Sequence, residues 1–167
     1  FKDFMDGKLS ILKNIKPDIA DFKNHLATIF TEVRLKKYIE IRSLDTCEWD
    51  CHCAGPAFYT GLLYGNLDEA YEVINKWNKL DVMNAYLEAP KKGLGTMINN
   101  KSILEWSEIL LNLSKKGLQK RNVKNKSGED ESIFLKSIEN TLSSKKTKAE
   151  KTIEDFNEKK GIDFFYE

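Results

Sequence analysis

Alternating side chains in residues 38–42 include three groups that could act together on a phosphorylated ligand. Tyr38, Glu40 and Arg42 occupy every second position, so in a β-strand they project from one face. The Glu40 carboxylate can bind a hard cation such as Mg²⁺ through oxygen. The Arg42 guanidinium, about 7 Å further along, can bind a phosphate or carboxylate, and the Tyr38 phenol can donate to an anion. This combination suits phosphoryl transfer, where catalysis is mostly positioning and charge neutralisation.

The same alternation runs through residues 33–43 and predicts a single strand there. The apolar residues Val33, Leu35, Ile39 and Ile41 take odd positions, and the even positions are polar, among them Arg34. Lys37 is the exception. The alternative interpretation is a solvated strand face with a cross-strand ion pair, which the pattern alone favours because such alternation is common.

A loop over residues 44–54 contains all three cysteines, with His52 among them. Cys47, Cys51 and Cys53 have the spacing C-x₃-C-x-C, whereas zinc sites usually take ligands from two separated segments. A redox-sensitive loop is a second alternative, and plain thiols in a reducing compartment are the expected state. The other histidine, His25, is expected to pack and form hydrogen bonds, with a ligand contact as the alternative.

Most of the remaining pattern is helical. Helices are predicted over residues 17–30, 57–64, 67–78, 80–88 and 148–159, from a Ser102–Glu105 capping box, and after Ser127. Apolar residues at helical spacing predict buried faces, with these members: Ile19, Phe22, Leu26 and Ile29; Leu67, Ala70, Tyr71, Ile74 and Trp77; Ile103, Trp106, Leu110 and Leu113; Phe134, Leu135, Ile138 and Leu142.

Composition excludes several classes of protein. The chain has 167 residues, with 27 Lys and Arg against 26 Asp and Glu, so the charge footprint of a nucleic-acid-binding protein is missing. No apolar run of about 18 residues predicts a membrane span. One strand cannot form a sheet alone, and the sequence opens on Phe1 inside a patterned segment, so we expect a piece of a longer protein. No secretory leader is seen, which favours the cytoplasm, or a plastid if a transit peptide lies upstream.

Residues 25–45, HLATIFTEVRLKKYIEIRSLD, resemble the glutamate–cysteine ligases of the plant and alphaproteobacterial type, whose pattern is H-L-[ST]-T-[IL]-F-P-E-V-R-L-K-x-Y-[IL]-E-M-R-G-A-D. Residues 56–65, PAFYTGLLYG, are similar to the family's P-A-F-W-V-G-L-L-Y-D. The departures are Thr31 for proline, Ser43–Leu44 for Gly-Ala, and Tyr59 for tryptophan. The enterobacterial ligases also carry Ser-Leu-Asp after the E-x-R of their strand.

The resemblance implies that residues 1–167 are the C-terminal part of a single ligase catalytic domain whose N-terminal part lies outside this chain. It implies an α+β fold in which a mostly helical fragment adds one or a few strands to the antiparallel sheet of the glutamine-synthetase-like carboxylate–amine ligases. The implied reaction joins the side-chain carboxylate of L-glutamate to the amine of L-cysteine, using ATP and Mg²⁺. By this resemblance Glu40 binds the metal, Arg42 is catalytic, and Tyr38 and Arg34 bind substrate. Neither nucleic acid nor a membrane is an expected partner.

Two alternatives stay open at this point. A related ligase that activates glutamate but uses another amine would carry the same strand, because the motif serves the acyl phosphate step. A helical interaction module that has lost its chemistry is the second alternative, because most of the family's metal-binding carboxylates are not in this chain.

Overall fold

A computed structural model describes residues 1–45 and 47–159 and divides the chain into two compact units, Phe1–Thr46 and Cys47–Glu167. Helices dominate, and the strands form two small antiparallel sheets of two strands each in the described residues. The α+β class predicted from the sequence is therefore confirmed. None of the described helices is both long enough and apolar enough to cross a membrane.

The first unit has two helices, a 3₁₀ turn and a hairpin. Its elements are α1 (Lys2–Met5), a 3₁₀ turn (Ser10–Leu12), α2 (Ile19–Ala27), β1 (Val33–Leu35) and β2 (Ile39–Ile41). Helix α2 begins later than predicted because Asp18 is its N-cap and accepts hydrogen bonds from the backbone N–H groups of Ala20 and Asp21. The Asp21 side chain bonds back to the Asp18 N–H, which completes a capping box.

The single strand predicted over residues 33–43 is wrong. The chain reverses after β1, and β1 pairs with β2 in an antiparallel hairpin in which Val33 lies opposite Ile41 and Arg34 opposite Glu40. The Lys36 N–H donates to the Tyr38 carbonyl at 2.9 Å within the turn. The break in the alternation at Lys37 marks this turn.

No described residue of the first unit is buried. The stripe predicted to form the core of α2 is exposed: Ile19 by 68%, Phe22 by 40%, Leu26 by 47% and Ile29 by 48%. The prediction of a buried stripe is wrong for this unit, because helical periodicity identifies the apolar side of a helix but not what covers it.

The second unit contains the remaining helices and one very short hairpin. Its elements are a 3₁₀ turn (Trp49–Cys51), α3 (Ala54–Thr60), a π-helical turn (Gly61–Gly65), α4 (Leu67–Ile74), α5 (Lys79–Lys92), a 3₁₀ turn (Gly93–Gly95), β3 (Met97–Ile98), β4 (Lys101–Ser102), α6 (Ile103–Arg121), a 3₁₀ turn (Glu131–Leu135), α7 (Lys136–Ser144) and α8 (Lys148–Lys159). The last helix has the predicted bounds. The predicted Ser102–Glu105 capping box opens α6.

Helix α6 lies at the centre of the core of this unit. Leu118 of α6 and Leu135 are completely buried, and both belong to a cluster with Leu111 and Leu142. A second cluster joins Leu113 of α6 to residues of the π-helical turn and α4. Of the residues predicted to pack inward after Ser127, Leu135 and Leu142 are buried, whereas Phe134 is 44% exposed.

Small residues let the π-helical turn approach α6 very closely. A Cβ atom added at Gly117 would lie closer than 3.0 Å to the Gly61 carbonyl, and one added at Gly61 would overlap Ser114 in the same way. The buried Ser114 hydroxyl donates to the Phe58 carbonyl at 2.8 Å. The crossing therefore requires glycine for lack of space.

The buried side predicted for residues 67–78 is largely wrong. Only Ala70 is buried, whereas Leu67 is 52% and Tyr71 64% exposed. Trp77 lies beyond the end of α4 and contacts Trp106 edge-to-face, with ring centroids 5.2 Å apart. Helix α4 thus packs against the core through Ala70 and the partly buried Val73.

Candidate active site

Three of the four residues predicted to act in the site project from one face of the hairpin. Arg34 and Glu40 are direct partners across the two strands. Arg42 stands two residues beyond Glu40, and its N–H donates to the Glu32 carbonyl at 2.8 Å, which continues the strand pairing past β2. Because side chains alternate along a strand, Arg34, Glu40 and Arg42 share one face.

One carboxylate oxygen of Glu40 carries both arginine contacts. Arg34 Nε donates to Glu40 Oε2 at 2.6 Å, and Arg42 Nη1 lies 3.6 Å from the same oxygen. The three side chains are only 21–28% exposed. The shortest contact of each arginine with this carboxylate thus ends on Oε2 rather than on Oε1. The cross-strand ion pair that the sequence offered as an alternative is thus present.

The ion pair sets the charge state of its members. The hydrogen bond from Arg34 lowers the pKa of the Glu40 carboxyl, and burial opposes this shift only in part. The charges of Arg34, Lys36 and Arg42 lower the same pKa further. The hydrogen bond to Glu40 raises the pKa of Arg34. Glu40 is therefore a carboxylate at neutral pH, which is the form that binds cations.

An aromatic ring supports Arg42. The guanidinium carbon of Arg42 lies 5.1 Å from the centre of the Phe30 ring. A cation over an aromatic face is stabilised by the electrostatics of the ring. Phe30 was not among the predicted site residues, although it lies within the run of residues that resembles the ligases. No spacing rule connects it to Arg42, because the contact spans the turn from α2 into β1.

The structure does not place the Tyr38 phenol in the ion-pair cluster. Tyr38 lies at the hairpin turn, is 60% exposed, and exerts only a minor electrostatic effect on Arg34. Arg34 also lines an open groove of about 440 Å³ between α2 and the hairpin, together with Lys23, Leu26 and Thr31. Arg34 therefore faces this groove as well as contacting Glu40.

The described residues include no cluster of three or more His, Cys, Asp or Glu side chains that could enclose a metal ion. Glu40 supplies a single hard oxygen ligand. Mg²⁺ in nucleotide-dependent enzymes is commonly held by one or two carboxylates together with phosphate oxygens and water. The donor chemistry of Glu40 therefore fits one protein ligand of a Mg²⁺–phosphate site.

The cysteine loop differs from the expected plain thiols. Cys47 and Cys51 form a disulfide with their Cα atoms 6.1 Å apart, whereas Cys53 is free and exposed. Lys148 of α8 lies 2.9 Å from the Glu48 carboxylate and 3.6 Å from Cys51 Sγ. The prediction of plain thiols is wrong for two of the three residues, because sequence spacing does not reveal how a loop folds back on itself.

His25 is exposed rather than packed in a core. Its ring lies 5.3 Å from the ring of Phe1, and its backbone carbonyl accepts hydrogen bonds from Thr28. The packing expected for His25 is limited to this aromatic contact, and the structure gives it no place in the ion-pair cluster.

Comparison with known proteins finds one family model that matches nearly the whole chain. The model is glutamate–cysteine ligase family 2, and it matches residues 5–162. The chain is 35% identical over 163 residues to the chloroplastic glutamate–cysteine ligase of Solanum lycopersicum, covering 96% of this chain and 30% of that protein. It is 37% identical over 155 residues to the chloroplastic ligase A of Oryza sativa subsp. indica, covering 92% and 30%.

The chloroplastic ligase of Arabidopsis thaliana is 35% identical to the chain over 159 residues, which cover 94% of this chain and 29% of that protein. The chain thus spans about 30% of the length of the relatives it matches. The residues that the family model matches, 5–162, include the hairpin.

Proposed function

Because this chain belongs to glutamate–cysteine ligase family 2, we propose that the protein containing it joins the side-chain carboxylate of L-glutamate to the amine of L-cysteine. ATP transfers its γ-phosphoryl group to an oxygen of that carboxylate. The cysteine amine then attacks the acyl carbon, the C–N bond forms and phosphate leaves. This reaction is the first step of glutathione biosynthesis. The observation that carries the proposal is the cluster of Arg34, Glu40 and Arg42 on one face of the hairpin.

Each member of the cluster has a proposed role. Glu40 binds Mg²⁺ through a carboxylate oxygen, and Arg42 contacts the transferred phosphoryl group. The ion, when bound, neutralises phosphate charge. Arg42 can donate parallel hydrogen bonds to phosphate oxygens, and the Phe30 ring limits the directions in which its guanidinium can swing. Arg34, which lines the groove beside the hairpin, is proposed to contact substrate, and so is Tyr38 at the hairpin turn.

The hairpin is proposed to join a larger antiparallel sheet of the glutamine-synthetase-like type. Two strands are too few for an independently stable sheet, and the apolar face of this hairpin leaves Val33 55%, Leu35 82% and Ile39 60% exposed. The chain covers about 30% of its relatives. We therefore propose that residues 1–167 are the C-terminal part of one catalytic domain, and that the N-terminal part supplies the other strands.

The names of the relatives indicate a subcellular compartment. Each of the three ligases compared above is chloroplastic. This supports the plastid rather than the cytoplasm as the proposed compartment of the protein.

The experiment that tests the proposed function is an assay of the full-length gene product for ATP- and Mg²⁺-dependent coupling of glutamate to cysteine. Glu40→Gln and Arg42→Ala should each lower kcat about 10²-fold or more, since each removes a charged contact made in the transition state. The matched controls are Glu72→Gln on the exposed surface of α4 and Lys37→Ala in the hairpin turn, and both should retain wild-type kcat.

The outcomes separate the alternatives. If the wild type is active and Glu40→Gln has the same kcat, the protein is a ligase but Glu40 is not part of its site. Phosphate release that requires an amine other than cysteine would identify a related ligase with another acceptor. Absence of phosphate release with every amine tried would favour a module without chemistry.

A further inference from the structure

The contact between Arg34 and Glu40 is the shortest in the ion-pair cluster. Arg34 Nε lies 2.6 Å from Glu40 Oε2, whereas Arg42 Nη1 lies 3.6 Å from that oxygen. The first distance is a charge-assisted hydrogen bond, and the second is an ion pair without one. The two arginines therefore bind the carboxylate in different ways.

The backbone fixes the position of the Arg34 contact. Arg34 and Glu40 are direct partners in the hairpin register, so the strand pairing holds their Cα atoms opposite each other. The Arg34 and Glu40 side chains are 21% and 28% exposed, so solvent competes less for this bond than for a surface ion pair such as Lys8–Asp6, with 63% and 39%. This short hydrogen bond can restrict rotation of the Glu40 carboxylate.

We propose that Arg34 is a positioning residue that holds Glu40 Oε2 and leaves Oε1 as the oxygen available to a cation, while Arg42 remains available to phosphate. This inference rests on the proposed function. In this role Arg34 does not contact substrate directly, as proposed above, but acts by orienting the Glu40 carboxylate. Partners that orient a metal ligand typically change metal affinity or activity 10–100-fold when they are removed.

A substrate-binding role for Arg34 makes a different prediction. If the remaining N–H groups of Arg34 bound glutamate, their loss would raise the KM for glutamate, and the affinity for the cation would stay unchanged. If Arg34 acts through Glu40, its loss lowers kcat and cation affinity together while the KM for glutamate stays near the wild-type value.

The test uses the full-length gene product with Arg34→Gln and Arg34→Lys. The matched control is Lys36→Gln, which removes a nearby positive charge that acts on Glu40 without a hydrogen bond. Mn²⁺, a paramagnetic substitute for Mg²⁺, is titrated by electron paramagnetic resonance in the presence of ATP. The kcat and the KM for glutamate are measured on the same preparations, and melting temperatures report folding.

We expect Arg34→Gln to weaken Mn²⁺ binding about tenfold and to lower kcat about tenfold, with the KM for glutamate within about twofold of wild type. Arg34→Lys should recover part of both losses, because lysine can donate one hydrogen bond but cannot match the planar guanidinium. Lys36→Gln should leave both quantities within about twofold of wild type.

A raised KM for glutamate with unchanged Mn²⁺ affinity in either variant would overturn the proposal and return Arg34 to a substrate contact. If Arg34→Gln does not fold, Arg34→Lys alone decides between these two patterns. The failure of the proposed function is distinguishable, because it appears as absent ligase activity in the wild type. The Mn²⁺ titrations of wild type and variants still test the role of Arg34 in that case.

Discussion

The two units differ in how their shape is held. In Cys47–Glu167 the side chains of Leu118 and Leu135 are completely buried, whereas none of the described residues of Phe1–Thr46 is buried. The first unit is held instead by local bonds: the Asp18 capping box, the hairpin pairing and the ion pairs of Glu40. The proposed site and the buried core therefore lie in different parts of the chain. Substitutions in the second unit should change folding, and substitutions in the first should change activity.

The crossing of α6 with the π-helical turn allows the strongest test of this division. Gly117→Ala would place a Cβ atom against the Gly61 carbonyl, and backbone on both sides cannot move away without separating the helices. We expect a loss of about 5 kcal/mol in the free energy of unfolding, above the usual cost of overpacking because the clash is with backbone. Denaturant unfolding followed by circular dichroism measures it.

Gly95→Ala is the control for this prediction, because a Cβ atom there would meet nothing within 4 Å. It should leave the free energy of unfolding within about 0.5 kcal/mol of wild type. A Gly117→Ala protein as stable as Gly95→Ala would show that the crossing is looser than the structure indicates.

One leucine truncation in each unit compares the two directly. Leu118→Ala removes a completely buried side chain and should cost about 3 kcal/mol in the free energy of unfolding of the 167-residue chain. Leu35→Ala removes a side chain that is 82% exposed and should cost less than about 0.5 kcal/mol. Equal costs would mean that the first unit has a core of its own.

The same Leu35→Ala change sharpens the comparison in the full-length product. If the N-terminal part covers the apolar face of the hairpin, as proposed, the cost of Leu35→Ala should rise there toward that of Leu118→Ala. A cost that stays below about 0.5 kcal/mol would contradict a covered hairpin.

The ring beneath Arg42 should affect activity and not folding. Phe30→Leu keeps an apolar side chain but removes the aromatic face that lies 5.1 Å from the guanidinium carbon. A cation–π contact of about 1 kcal/mol corresponds to a fall of roughly fivefold in kcat/KM of the full-length enzyme. Phe134→Leu, at a partly exposed position of the second unit, is the control and should leave kcat/KM unchanged. If Phe30→Leu and Phe134→Leu have equal kcat/KM values, Phe30 does not contribute to the proposed site.

Local signals were enough to predict several elements. The Ser102–Glu105 capping box involves groups only three residues apart, and α8 is bounded as its charge and apolar pattern indicated. The shared face of Arg34, Glu40 and Arg42 was predicted although the topology was wrong. The hairpin register pairs even-numbered residues with even-numbered residues, so a reversal at the turn leaves the alternation of faces unchanged.

Features that depend on non-local packing could not be predicted. The exposure of Phe22 and Leu26 depends on what lies against α2, and helical periodicity is silent on this. The Cys47–Cys51 disulfide depends on the path of the loop, and the Phe30–Arg42 contact joins residues on either side of the hairpin. Caps and strand faces therefore follow from the local sequence, whereas the exposure of α2 and the contacts between distant residues do not.

The smallest expected effect is on the pH dependence of the melting temperature, and it differs between one carboxylate in each unit. Hydrogen bonds from Ser102 lower the pKa of Glu105 in the second unit, as the hydrogen bond from Arg34 lowers that of Glu40 in the first. A carboxyl whose pKa is lower in the folded state stabilises the fold above its unfolded pKa, about 4.3, and this contribution is lost as the pH falls through the folded pKa. Glu105→Gln should therefore lower the melting temperature at pH 7, and the difference from wild type should narrow toward pH 3.

Glu108→Gln, on the exposed surface of the same helix, is the control for the removal of a surface carboxylate and should leave the melting temperature at pH 7 near that of wild type. Glu40→Gln should leave the main melting transition unchanged at both pH values, because the described residues of the first unit form no buried core whose unfolding that transition would report. If Glu40→Gln instead shifts this transition by as much as Glu105→Gln, the two units unfold together, and the ion pairs of the hairpin contribute to folding as well as to the proposed chemistry.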